Sequence, residues 1–381
     1  MTKSIEIRKA GFTNKGAAMM LVAATQEVQA RLPASKVVVA ANYSLPFEPR
    51  ARLGLWHRAE LIKGGIDLGR AVDLVPAKLR ERYGFVTAAE IDVILDAAGF
   101  AYSDQWGLPA SRDLAERSAV WKQKGKKLIL LPQAFGPFKT PGIADLMKRV
   151  ADNADLIFAR EQQSYDYLTA AVGERPNIRI APDFTNMLKA VPFTGFSRGA
   201  GRVAIVPNAR MLDKTDGSES RGYEDFLSRT ISRLIGGGLQ PFFLIHETTE
   251  DLKLAQRINA ALPAPIEVTE AEDALVAKGM IAQCDAMVGS RFHALVSALS
   301  QGVPVLGTGW SHKYQELFGD YGYREGLTRV GLDDAALDAA LAPILSEALR
   351  GEVSARLTSV SATLKSAVSG MWDEVFRVIG R

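Results

Sequence analysis

The chain has one cysteine, Cys284, and four histidines in 381 residues. A lone cysteine excludes an internal disulfide and any cysteine-rich metal site, and its apolar neighbours in CDAMV read as a buried, inert thiol. Long apolar runs are also missing. No stretch of about 18 apolar residues is there to span a bilayer, and the opening MTKSIEIRKAGF lacks the basic-then-apolar layout of a signal peptide. The expected compartment is therefore the cytoplasm, with peripheral attachment to the inner face of the membrane as a variant. Excess charge is scarce: a formal net charge of +3 provides no basic stripe for nucleic acid. The basic run KQKGKK, 122–127, precedes an apolar strand and reads as a solvated helix end or turn, with contact to an anionic membrane as the alternative. H-x-x-x-H and G-x-x-x-x-G-K-[ST] are absent, as are G-x-G-x-x-G after the first strand and the G-x-S-x-G elbow. No metal and no bound cofactor is expected.

What is present is a recurring alternation. Short apolar runs (KVVVAAN, IDVILDAAG, KKLILLPQ and ADLIFAR, then RVAIVPN, QPFFLIHE, DAMVGS and VPVLGTG) are each followed by a turn and a segment of helical spacing. Continuous apolar strands between helices indicate parallel sheet covered on both faces. The length calls for two domains, and the rhythm breaks at VPFTGFSRGAGR, 191–202, where Pro, Gly and Ser interrupt it. The expectation is an α/β protein of two Rossmann-like domains, 1–195 and 196–335, with C-terminal helices over 336–381 packing back across the junction. In LDDAALDAALAPILSEALRG, Leu337, Leu341, Ile344 and Leu345 share one helical face, with Asp333 or Asp334 as cap. His57 in LWHRAEL reads as a structural residue on an amphipathic helix.

Open parallel sheets bind ligands beyond the carboxyl ends of their strands. Collecting residues there gives Asn14, Lys15, Asp104, Gln133, Arg160, Asn208, His246, Arg291 and His293, expected to line one interdomain cleft. In GSRFHALVSALSQ, Ser290 reads as the N-cap of a helix whose first turn carries Arg291 and His293. Cations oppose the helix dipole at that end unless an anion offsets them, which points to a bound anion. Arg160 is either a guanidinium fork for a carboxylate or phosphate or the partner of Glu161 at a helix start capped by Ser164. In AGFTNKGAAMM, Gly11 and Gly16 permit close backbone approach and Asn14 and Lys15 supply donors, with helix capping as the plainer reading. His246, beside Glu247, is a ligand contact or a hydrogen-bonded core residue. His312 and Lys313 follow the next strand.

Four segments, NKGAAMM, LPQAFGPF at 131–138, IFAREQQSYDYL at 157–168, and above all GSRFHALVSALSQGVPVLG followed by HKY, resemble the polysaccharide pyruvyl transferase family, whose members are similar to GT-B glycosyltransferases in fold. Two departures bear on acceptor recognition rather than donor chemistry: only Gly99 remains where the family often has a Gly-Gly pair, and Ala17 stands where it often has Asp. The resemblance implies transfer of a pyruvyl unit from phosphoenolpyruvate onto two hydroxyls of one sugar, giving a cyclic ketal. Phosphoenolpyruvate is then a co-substrate, and the other partner is a carbohydrate that is free, nucleotide-linked or lipid-linked. A carboxylate and a phosphate on three carbons require fixed cations close together, which Arg160, Arg291 and Lys313 supply, with Ser290 beside them. A histidine side chain can act as acid and as base near neutral pH, and His293 is the expected one. The rival readings are a GT-B glycosyltransferase using a nucleotide sugar and a non-catalytic glycan-binding protein. Oligomeric state stays open.

Overall fold

The structure, a computed structural model, describes residues 2–40, 42–59, 62–63, 66–213, 217–247, 249–271 and 273–380. The chain divides into two compact units, one of Met1–Thr13, Met20–Phe184 and Ala367–Arg381, the other of Asn14–Met19 and Thr185–Ser366. The strands of the first are β1 Ser4–Arg8, β2 Lys36–Ala40, β3 Trp56–Arg58, β4 Ile62–Lys63, β5 Ile66–Asp67, β6 Phe85–Val86, β7 Val93–Asp96, β8 Lys127–Gln133, β9 Leu156–Ala159 and β10 Ile178–Ile180. Those of the second are β11 Arg202–Val206, β12 Gln240–Ile245, β13 Val268–Glu270, β14 Ala286–Gly289 and β15 Val305–Gly307. The helices, in chain order, are α1 Lys15–Arg31, α2 Phe47–Arg52, α3 Ala77–Arg82, α4 Leu108–Gln123, α5 Ile143–Asn153, α6 Gln162–Val172, α7 Arg210–Asp213, α8 Gly217–Gly236, α9 Thr249–Ala261, α10 Ala274–Ala282, α11 Phe292–Leu299, α12 His312–Asp320, α13 Asp334–Leu345 and α14 Glu347–Gly380.

The first unit holds an eight-stranded sheet in the order β10-β9-β8-β7-β1-β2-β3-β6, and the second a five-stranded sheet in the order β13-β12-β11-β14-β15. All ladder pairs in both sheets are parallel, as runs such as VILD and AMVG, buried along their whole length, require. Strand order reverses beside β1, between β1 and β7, and beside β11, between β11 and β14. Crevices beyond the carboxyl ends at such reversals are where open α/β sheets take ligands.

The expected break at 195/196 lies beyond the division at Phe184/Thr185, because 185–195 pack on the second unit. The Tyr321 hydroxyl donates to Asn186 Oδ1 at 2.8 Å, Val191 N–H donates to Leu275 O at 3.3 Å, and a Cβ on Gly279 would stand 2.0 Å from Val191 O. The C-terminal helix α14 likewise belongs to both units. Residues up to Ser366 bind the second, where Ser361 Oγ donates to Ser300 O at 2.8 Å. Later ones bind the first, where Trp372 is fully buried edge-on to Phe184, ring centroids 5.9 Å apart. In α13, Asp333 Oδ1 caps Ala336 N–H at 2.8 Å and Leu337, Leu341 and Ile344 are buried, as their spacing indicates.

Three local expectations change or resolve. His57 lies in β3 rather than in a helix, stacked on Phe85 with centroids 5.5 Å apart. Three-residue strands are too short for periodicity to declare them. KQKGKK is a helix end and turn whose lysines serve the fold: Lys126 Nζ donates to Ala88 O at 3.0 Å and Lys127 pairs with Asp155 at 3.0 Å. Cys284 is buried, and burial raises its thiol pKa to about 12.

Candidate functional site

In the second unit the reversal between β11 and β14 brings together the residues that succeed each strand. After β14 the chain turns at Ser290 and Arg291 into α11, and Arg291, not Ser290, occupies the N-cap. The Ser290 hydroxyl is engaged elsewhere, 2.8 Å from Tyr223 Oη and 2.6 Å from Thr308 Oγ1 in a buried chain of three hydroxyls. Its carbonyl accepts from Asn208 Nδ2 at 2.7 Å and from Tyr314 Oη at 3.0 Å. Asn208 and Ser290 thus lock the crevice floor rather than present free donors.

Arg291 is held on two sides. Asp251, in the first turn of α9 and fully buried, accepts Nε at 2.8 Å and Nη2 at 2.5 Å, while its Oδ1 also takes Ala209 N–H at 2.9 Å. Glu247, at the end of β12, binds Nη1 and also accepts from Asn14 Nδ2. Burial works against the guanidinium charge, and the two carboxylates offset that cost. Asn14 does two jobs at once: its Oδ1 caps α1 through Ala17 N–H at 3.0 Å while its amide holds Glu247.

His293 sits in the first turn of α11 and packs against Gly16. A Cβ at that glycine would lie 2.4 Å from Nδ1, so only glycine admits this imidazole position. On its other side the ring is edge-on to Phe292 at 5.4 Å. The Lys313 ammonium lies over Phe292, Trp310 and Tyr314 at 5.2, 4.8 and 5.4 Å from their ring centres, a cation–π seat that fixes its charge beside the same phenylalanine. Lys15 is partly buried, and burial lowers its pKa against the opposing pull of Glu270, Asp273 and Asp251.

His246 completes the group. It is buried, and neither ring nitrogen has a hydrogen-bond partner among the described residues. Burial holds its pKa well below the ordinary imidazole value, with Lys15, Arg291 and His293 pushing the same way. It is therefore neutral at neutral pH. Four cationic or titratable side chains from three segments, Lys15, His246, and Arg291 with His293, meet electrostatically at the carboxyl end of this sheet, at the N-terminal end of the α11 dipole.

The remaining candidates lie in the first unit. Arg160 follows β9 and is buried, with Nη1 3.1 Å from Asp183 and Nε 3.4 Å from Glu161. The plainer reading foresaw the Glu161 pair, but Ser164 does not cap: its Oγ bonds Glu161 and accepts from Phe135 N–H at 2.8 Å. Gln133 is buried at the end of β8, and its carbonyl accepts from Arg160 N–H at 3.0 Å. At the reversal between β1 and β7, buried Asp96 accepts from Tyr102 Oη at 2.9 Å and lies 3.9 Å from Arg8. Burial raises its pKa against those partners. Asp104 accepts Thr140 N–H at 2.6 Å, and such backbone donors outweigh partial burial to lower its pKa.

Sequence reasoning did not find Asp251, Tyr223, Thr308, Asp183 or Asp96. An acid in the first turn of a helix is ordinary, so Asp251 carried no signal, whereas Asp96, ending an apolar strand at a chain reversal, did. Among the described residues no group of three or more His, Cys, Asp or Glu could hold a metal ion.

Two parallel α/β units, each with its polar residues beyond the strand ends, define a GT-B-like protein, and solved structures agree. Anabaena Alr3699/HepE in complex with UDP and glucose is similar over 100% of both chains, with TM-score 0.62 at 11% identity. A glycosyltransferase from Rickettsia africae ESF-5 covers 99% of this chain and 97% of its own, with TM-score 0.60 at 8% identity. The UDP-GlcNAc 2-epimerase of Neisseria meningitidis bound to UDP-GlcNAc covers 99% and 100%, with TM-score 0.58 at 10% identity. Identities this low speak for the fold alone. The polysaccharide pyruvyl transferase family matches residues 14–312, and the chain belongs to it. No curated protein sequence matches.

Proposed function

We propose that this protein transfers a pyruvyl group from phosphoenolpyruvate to two hydroxyls of a carbohydrate acceptor, forming a cyclic ketal and releasing phosphate. The observation that carries the reading is the cluster of Lys15, Arg291 and His293 at the head of α11, in a chain of the pyruvyl transferase family. Phosphoenolpyruvate brings a carboxylate and a phosphate on three carbons, and fixed cations with helix N–H groups attract both.

In the proposed reaction His293 protonates the methylene carbon, and positive charge develops at the carbon bearing the phosphate. One sugar hydroxyl adds there and gives up its proton. The carbon–oxygen bond to phosphate then breaks, the second hydroxyl adds, and its proton leaves as well. One of the two hydroxyl protons restores what the methylene carbon took, the other leaves on phosphate, and no water is consumed. Lys313 and Lys15 counter charge on the departing phosphate.

The test is phosphate release from phosphoenolpyruvate across a panel of acceptor sugars. Wild type should release phosphate only with its acceptor, and His293→Ala should lose ~10²–10⁴-fold in turnover while binding phosphoenolpyruvate with the wild-type constant in calorimetry. Full turnover in the variant would overturn the assignment. The UDP complexes of the HepE and epimerase structures favour a second reading, transfer from a nucleotide sugar. Calorimetry with UDP in place of phosphoenolpyruvate separates the two.

A further inference from the structure

The first unit exposes apolar side chains where its sheet ends. Among the described residues eleven large hydrophobic side chains are exposed, and five of them, Tyr43, Phe47, Leu74, Leu79 and Tyr83, fall within 43–83. An even spread would put about one there, and scattered single residues are the norm. Three are far out of the protein: Tyr43 is 95%, Leu74 88% and Phe47 74% exposed. The helices carrying this segment, α2 and α3, bury no residue at all, so their apolar side chains are not core residues turned slightly outward.

Topology puts the pieces side by side. The order β1-β2-β3-β6 runs one way across the sheet, and successive right-handed crossovers in one direction place α2 and α3 on the same face. On α3 and its C-cap residue Tyr83, Lys78 and Arg82 form one i,i+4 row and Leu79 and Tyr83 the adjacent row, all four exposed. The segment is basic as well as apolar. From 43 to 83 the sequence has eight lysines and arginines against five acids; with Arg58 buried on the Glu6 carboxylate, a net +2 is left outside that pair.

We propose that this face docks on an anionic membrane surface. Aromatic side chains and a leucine enter the headgroup boundary while Lys78, Arg82 and Arg52 meet lipid phosphates, the composition by which interfacial helices bind. Among the described residues no helix is long and apolar enough to cross a membrane, so the attachment is peripheral. The inference stands whatever reaction the protein catalyses.

The experiment is co-sedimentation of the full chain with vesicles of phosphatidylglycerol and phosphatidylcholine, and with phosphatidylcholine alone, alongside light scattering in the absence of lipid. Binding should require the anionic lipid and weaken with added salt. Lys78→Glu with Arg82→Glu should reduce it at least ~10-fold, and Phe47→Ser with Tyr83→Ser should reduce it comparably. Both pairs should keep the wild-type circular dichroism and melting temperature, since none of these side chains is buried. Absence of vesicle binding by wild type would overturn the proposal, as would binding that neither pair alters. A concentration-dependent dimer that both pairs dissolve would assign the face to a second copy of the chain instead.

Discussion

Asp251 offers the sharpest test of how the second unit holds its site. Its carboxylate is fully buried and accepts hydrogen bonds from Nε and Nη2 of Arg291 and from Ala209 N–H. Replacing it by Ala strands a buried guanidinium with Glu247 as its remaining carboxylate and leaves a backbone donor unmet. Breaking one side of a buried pair costs ~3–5 kcal/mol. For a unit of this size, where each kcal/mol moves the transition by roughly 2–4 °C, the melting temperature should fall by about 6–20 °C. Asp251→Asn keeps the shape and one acceptor, so its cost should be smaller, about 1.5–3 kcal/mol.

The assay is urea unfolding followed by circular dichroism on Asp251→Ala, Arg291→Leu and the double variant. If the pair is what the structure shows, the double variant recovers much of the loss, because removing both charges eliminates the buried one left alone. Coupling well above 1 kcal/mol between the two positions is the expected result. A cost under about 1 kcal/mol for Asp251→Ala, or strictly additive single costs, would refute the buried clamp.

Three further outcomes rest on the same geometry. Gly16→Ala places a methyl group against His293 Nδ1, so the ring must swing aside. Turnover should drop by ~10²-fold while stability, helped by helix propensity, changes by less than about 1 kcal/mol, and parallel phosphate-release and melting measurements check it. His246 has a folded pKa depressed far below its unfolded value, so only the unfolded chain takes up this proton as pH falls below about 6.5. Stability should then decline by up to ~1.4 kcal/mol per pH unit, and the urea midpoint of wild type should fall relative to that of His246→Gln from pH 7.5 to pH 5. Glu247→Gln removes the carboxylate that occupies Arg291 Nη1; calorimetry should show phosphoenolpyruvate binding tightened by roughly tenfold, about 1.4 kcal/mol, whereas weakened binding would make Glu247 part of the site's support.

The strands were legible because a strand buried on both faces has one sequence solution, an unbroken apolar run. KLILLPQ, LIFA, RVAIV, QPFFLI and AMVG all became strands. Strand ends could then be collected without knowing sheet order, which is why Asn14, Lys15, His246, Arg291 and His293 were found together. What they touch was not legible. Asp251 lies forty residues before Arg291, and nothing in TTEDLK separates an acid that clamps a guanidinium from one that favours a helix start. β3 and β6 are too short for pattern, and the route of α14 through both units depends on docking contacts that helical periodicity does not encode.

Arg291 shows where charge reasoning from sequence stops. A cation at the head of α11 needs an anion, and the sequence suggests a bound one. In the structure the chain supplies the anions itself, Asp251 on Nε and Nη2 and Glu247 on Nη1. Helix-end electrostatics are therefore satisfied before any ligand arrives, and position alone does not make Arg291 a phosphate ligand. The two carboxylates are not equivalent. Asp251 is fully buried and pinned by Ala209 N–H, whereas Glu247 keeps partial exposure at a strand end. Exchange of one carboxylate for another at Nη1 costs little desolvation, while loss of Asp251 exposes the full cost of a buried charge. An anion that reaches Arg291 therefore does so at the Glu247 side, next to Asn14, with Asp251 keeping the guanidinium plane in place.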